Sequence, residues 1–210
     1  MNLLFIGNSH TYYNDMPATV GELLIATGEK CHVTMLAHGG KSLQHHAIDP
    51  AVLFNIRHGK YDAIIAQENA AQFRRDSFFA GANSIRELAE RAGARLFLYM
   101  PPIPKENEKA LAAMSEAYLE YKEQYGVGIA PVGEAFARLG AYSACPALFR
   151  ADGVHATPFG SFLMALTIFY AVTERKRVLS ADKFSSTNAP LEVCQLAHTE
   201  ACRAARLYNG

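Results

Sequence analysis

Four short segments hold the side chains that could do chemistry. They are Gly7-Asn8-Ser9-His10-Thr11, His38-Gly39-Gly40-Lys41-Ser42, Gln67-Glu68-Asn69 and Asp152-Gly153-Val154-His155. Between them they offer a hydroxyl, an imidazole, a carboxylate and several N–H donors, which are the parts of an acyl-transfer site. Ser9 is the candidate nucleophile. Asp152 and His155 are three apart, a spacing that lets the carboxylate curl back onto Nδ1–H and leaves Nε2 to face a serine. Gly39 and Gly40 permit close backbone approach, so this pair could place a backbone N–H at the oxyanion. Asn69 or Gln67 could supply a side-chain amide donor. Taken singly, each segment also fits plain turn chemistry; the combination is what points to catalysis.

These segments need elements to hold them. Apolar runs at 3–6, 31–36, 62–66, 95–100 and 127–132 read as five strands. Helices are expected between them. Asp15 is a candidate N-cap and Pro17 a first-turn residue of one that stops at Gly28. Others are expected over 77–92, 107–124, 133–139, 157–173 and 191–207. In the 107–124 helix, Leu111, Met114, Tyr118, Tyr121 and Tyr125 follow the alternating three-and-four spacing of one buried face. Alternating strands and helices imply an α/β fold, a parallel sheet with helices on both faces, in a single domain spanning 1–210. In such sheets reactive groups collect at the carboxyl ends of the strands, where the first three segments fall. Strand three is expected to end at Ala66, which puts Gln67, Glu68 and Asn69 in the following turn.

Composition narrows the function. Half of the 210 residues are hydrophobic and 19% are charged, enough for a sizeable core. Twenty basic residues balance twenty acidic ones, which argues against a nucleic-acid or anionic-membrane partner. No secretory leader is evident at Met1, and the apolar stretch 159–173 is too short to span a bilayer, so a cytoplasmic protein is expected. Cys31, Cys145, Cys194 and Cys202 form no Cys-x-x-Cys pair and are expected as free thiols. His10, His38, His45, His46 and His58 show no His-Glu-x-x-His pattern, and neither a metal nor any cofactor is expected. The 41–58 segment, with Leu43, Ile48, Val52, Leu53 and Phe54, could form a partial lid lining an acyl pocket or could simply pack.

The ordered set resembles the SGNH (GDSL-type) hydrolases, whose Ser, Gly, Asn and His lie in four separate blocks. Ser9 in GNSHT matches the serine block, Gly40 in HGGKSL the glycine block, and Asn69 in QENA the asparagine block. Asp152 and His155 in DGVHAT match the Asp-x-x-His block. The match runs from residue 4 to about 172 and is closer to a bacterial GNS-type subgroup than to the plant lipases. Asn8 stands where Asp is common, and QENA lacks both the Gly and the second acid of Gly-x-Asn-Asp. The resemblance implies a flavodoxin-like three-layer αβα sandwich and hydrolysis of small esters, often acetyl or other short acyl esters, through an acyl-enzyme. The alternatives are a non-catalytic ligand- or carbohydrate-binding relative, and acyl transfer to a sugar hydroxyl.

Overall fold

The computed structural model describes residues 1–103, 107–175, 177–184 and 189–210. Five strands, β1 (Asn2–Gly7), β2 (His32–Ala37), β3 (Ala63–Gln67), β4 (Arg95–Met100) and β5 (Gly128–Pro131), form one sheet in the order β2-β1-β3-β4-β5. All pairings are parallel, with Leu3 opposite both Val33 and Ala63. The central strands are apolar along their length because both faces are covered. Alternation then sorts their side chains. Leu3, Phe5, Ile65 and Tyr99 enter one core, while Leu4, Ile6, Ile64 and Leu98 enter the other.

The helices are α1 (Ser9–Tyr12), α2 (Met16–Ala26), α3 (Leu43–His46), α4 (Pro50–His58), α5 (Arg75–Ala92), α6 (Glu108–Tyr125), α7 (Val132–Gly140), α8 (Pro158–Thr173) and α9 (Leu191–Asn209). Helices α2, α7, α8 and α9 fill the first core, and α3 to α6 fill the second, making three layers. The chain leaves β1 for β2 on one side, then crosses back to β3 on the other. Loops after β1 and β3 therefore part company at the sheet's carboxyl edge and open a crevice there.

Most elements fall where the sequence places them. Two details differ. Strand β3 includes Gln67, which pairs with Tyr99, so the turn begins at Glu68 and not at Gln67. The pairing persists because a buried polar network satisfies the Gln67 side chain, as described below. Asp15 precedes α2 but makes no side-chain cap: it is left-handed (φ 55°), like Asn14 before it (φ 54°), and both lie within the short turn Tyr13–Asp15. Helix α2 ends as expected: Ala26 is its last residue, Thr27 the C-cap, and Gly28 (φ 92°) the C′ residue, whose N–H bonds back to the Ile25 carbonyl.

The 41–58 segment folds as α3 and α4. Leu43, Val52 and Ile56 are wholly buried in the second core, while Ile48 and Phe54 face outward. Cys31 and Cys145 are half-buried free thiols, and Cys194 and Cys202 are buried in α9. Among the described residues no helix is long and apolar enough to cross a membrane.

Candidate active site

The chain turns sharply at the end of β1. A Cβ on Gly7 would lie 2.2 Å from Thr11 Oγ1 and 2.6 Å from Gln67 Oε1, so only glycine lets the two segments approach. Asn8 then caps α1, its Oδ1 accepting from His10 N–H at 3.1 Å. This places Ser9 at the first position of α1, half-buried at the carboxyl edge of the sheet.

Gln67 anchors the turn. Its Oε1 accepts from Asn8 N–H at 3.0 Å and from Thr11 Oγ1 at 2.7 Å. Its Nε2 donates to Asn8 Oδ1 at 2.8 Å and to the Glu68 carbonyl at 2.9 Å. The residue is fully buried, and both amide hydrogens are engaged. Asn8 Nδ2 in turn donates to the Lys41 carbonyl at 3.0 Å and ties in the glycine block.

The aspartate and histidine share a tight loop. An antiparallel bridge between Phe149 and Ala156 closes it, and Gly153 supplies a left-handed residue (φ 68°) at its tip. Asp152 Oδ1 accepts from the N–H groups of Val154 and His155, both at 2.9 Å. Oδ2 is left to meet His155 Nδ1 at 2.8 Å. These three bonds, His155's first, hold the Asp152 carboxyl well below the usual carboxylate range. The ring is thereby fixed with Nδ1 as donor and Nε2 free for other work.

Two residues bring this loop to the serine segment. The Tyr13 ring stacks on the His155 ring with centroids 4.2 Å apart. Asn14 Nδ2 donates to the Ala156 carbonyl at 3.0 Å and to Ser161 Oγ at 2.8 Å. The left-handed backbone at Asn14 aims this amide away from α2 and across to the loop. His10, next to Ser9, has its ring 6.0 Å from that of His155. Burial, then the neighbouring His155, pushes the His10 pKa down to about 4.

On the opposite side, Gly40 lies at the left-handed position (φ 69°) of a turn closed by Lys41 N–H to the His38 carbonyl. No atom lies within 4 Å of where its Cβ would be, so glycine is required here by conformation and not by space. Asn69 Nδ2 donates to the Gly40 carbonyl at 2.6 Å, while Asn69 Oδ1 accepts from Ala71 and Gln72 N–H. The glycine and asparagine blocks are thus joined. Beneath them Glu68 is almost fully buried. Its Oε1 accepts from Asn69 N–H at 2.6 Å and Leu43 N–H at 3.4 Å, and burial raises its pKa.

No protein-family model matches the chain, and no curated protein does. Solved structures do. A DUF4886 family protein from Bacteroides uniformis superposes with a TM-score of 0.78 at 19% identity, covering 100% of this chain and 96% of that one. The psychrotrophic esterase EstA from Pseudoalteromonas sp. superposes at 0.62 and 10% identity, covering 82% and 97%. A protein placed in the lipolytic G-D-S-L family from Desulfitobacterium hafniense superposes at 0.51 and 15% identity, covering 97% and 98%. The fold is that of the SGNH hydrolases.

On the SGNH fold the structure gathers all four sequence blocks at one edge of the sheet. Gln67 belongs to the scaffold beneath Ser9, whereas Asn69 lies against Gly40. Sequence reasoning passed over Tyr13, Asn14 and Glu68. Nothing in their spacing sets them apart, because each acts through a contact between distant segments. It also expected no metal ligands. The structure gathers His38, His45 and Asp49 so that one donor atom from each lies within 4.8 Å of the others. In the sequence His45 and Asp49 stand four apart.

Proposed function

We propose that the chain belongs to the SGNH hydrolases and is a serine esterase cleaving small carboxylic esters through an acyl-enzyme. The observation that carries this reading is the fixed Asp152–His155 pair beside the serine segment. In the proposed reaction Ser9 Oγ attacks the ester carbonyl and His155 Nε2 takes its proton. Asp152 keeps the imidazole in the right tautomer and stabilises the imidazolium that forms. The Ser9 and Gly40 N–H groups and Asn69 Nδ2 face the oxyanion. Asn69 suits this better than Gln67. One of its amide hydrogens goes to the Gly40 carbonyl and one is left, whereas Gln67 spends both within the scaffold. His155 returns the proton to the leaving alcohol, and water repeats the cycle on the acyl-enzyme.

The solved EstA structure was inhibited by monoethylphosphonate, and a phosphonate reagent is the natural test here. A fluorophosphonate probe is expected to label the wild-type chain at Ser9 and to leave Ser9→Ala unlabelled. A panel of p-nitrophenyl esters is expected to show turnover that disappears in the same variant. A wild-type chain that neither labels nor turns over any ester would instead indicate a non-catalytic binding protein.

A further inference from the structure

We propose a second site, a divalent transition-metal site formed by His38, His45 and Asp49. It is separate from the Ser9 chemistry and does not depend on it. Two imidazoles and one carboxylate form a borderline donor set, of the kind that takes Zn²⁺ in preference to a hard cation such as Mg²⁺.

The geometry is close to that of a ligand set. Donor atoms of the three residues lie within 4.8 Å of one another, and His38 Nε2 is 3.0 Å from Asp49 Oδ2. Zinc bonds of about 2.0–2.1 Å in a tetrahedron separate the donors by roughly 3.4 Å, so small side-chain rotations suffice. The carboxylate is already oriented. Asp49 Oδ1 caps α4 through Ala51 N–H at 2.8 Å and Val52 N–H at 3.4 Å, which leaves Oδ2 turned toward His38. Hydrogen bonds to the non-ligating oxygen commonly fix a ligating carboxylate in this way.

A further imidazole packs against the cluster. His46 is wholly buried, and its ring packs 5.7 Å from that of His38 and 5.4 Å from that of His45. Neither of its ring nitrogens makes a well-aligned hydrogen bond, although the Gly7 backbone lies alongside. The cluster is therefore walled by a third imidazole on its inner side. His38 keeps it open to solvent on the outer side, with about half of its side chain exposed. Three protein donors and an open position suit a metal that retains a water.

The position suggests a role. His38 directly follows β2, two residues before Gly40, and His45 and Asp49 flank the turn from α3 to α4. A bound ion would clip residues 38–49 into a closed loop and stiffen the turn that carries Gly40.

The test uses the full-length chain without a histidine tag, stripped with chelator. Calorimetric titration with ZnCl₂ is expected to show saturable one-to-one binding and a rise in thermal midpoint, and MgCl₂ neither. Co²⁺ is expected to give the intense visible absorption of low-coordinate nitrogen and oxygen ligation. His45→Ala and Asp49→Asn should each weaken Zn²⁺ binding at least about tenfold, since losing even a hydrogen-bond partner of a ligand costs that much. Asn caps helices as well as Asp, so Asp49→Asn removes a charged ligand while retaining α4. His58→Ala, on the far end of α4, should bind as wild type. Absence of saturable one-to-one Zn²⁺ binding, or unchanged affinity in both His45→Ala and Asp49→Asn, would overturn the site.

Discussion

The His155 ring lies flat on the Tyr13 ring, with centroids 4.2 Å apart and planes 14° from parallel. The Arg150 guanidinium sits 5.6 Å from the same Tyr13 ring, so the tyrosine is a platform shared by two parts of the loop. Aromatic pairs of this kind contribute about 0.5–1.5 kcal/mol beyond their buried area. Tyr13→Ala is therefore expected to lower kcat about twofold to tenfold by loosening the imidazole, while Tyr13→Phe stays near wild type. Equal losses in the two variants would mean that the hydroxyl matters and the stack does not.

Asp152→Asn keeps an oxygen for the Val154 and His155 N–H groups but reverses the demand on His155 Nδ1. With the loop intact and the tautomer wrong, kcat should fall about 10³- to 10⁴-fold, with little change in thermal midpoint. A normal kcat in this variant would remove Asp152 from the mechanism.

Asn69 and Gln67 should separate by phenotype. Asn69→Ala is expected to lose about 10²–10³ in kcat with a smaller change in KM, because the donor counts most once the oxyanion has formed. Gln67→Ala strands buried partners on Asn8 and Thr11 and should cost roughly 2–4 kcal/mol of stability. Urea denaturation of both variants beside steady-state kinetics checks the pair. A Gln67→Ala chain with native stability and crippled kcat would move the oxyanion donor to Gln67.

Leu43, Val52 and Ile56 are spent in the core, so Ile48 and Phe54 are the large apolar side chains that the 41–58 segment leaves exposed, too few to line a long acyl channel. Acetate and butyrate esters of p-nitrophenol are expected to turn over faster than decanoate. A clear preference for decanoate would contradict this.

Acid should unfold the chain through its buried imidazoles. His10 and His198 are held down to about 4, chiefly by burial. Their ordinary value is about 6.5. Between these limits the unfolded chain binds more protons than the folded one, so stability rises with pH across the window. The contribution is complete above about 6.5 and is lost as pH falls toward 4, at up to roughly 3 kcal/mol for each histidine. Urea midpoints at intervals from pH 7 to pH 4.5 measure the slope; a flat profile would show that neither imidazole stays neutral in the folded state.

The layers of this fold were legible in the sequence because burial on both sheet faces leaves unbroken apolar runs such as Leu3–Ile6, and helices leave the spacing of Met114, Tyr118 and Tyr121. The Asp152–His155 bond was legible too, since both partners lie in one short loop and the three-residue spacing nearly determines it. Long-range relationships were not. Whether Gln67 belongs to β3 or to the turn depends on hydrogen bonds to Asn8 and Thr11, more than fifty residues away. Only the tertiary structure decided that Asn14 ties the serine segment to the histidine loop, that Tyr13 supports His155, and that Asp49 turns toward His38. Local periodicity records what each residue buries, but which distant polar group it meets is fixed by the strand order and by the direction in which each loop leaves the sheet.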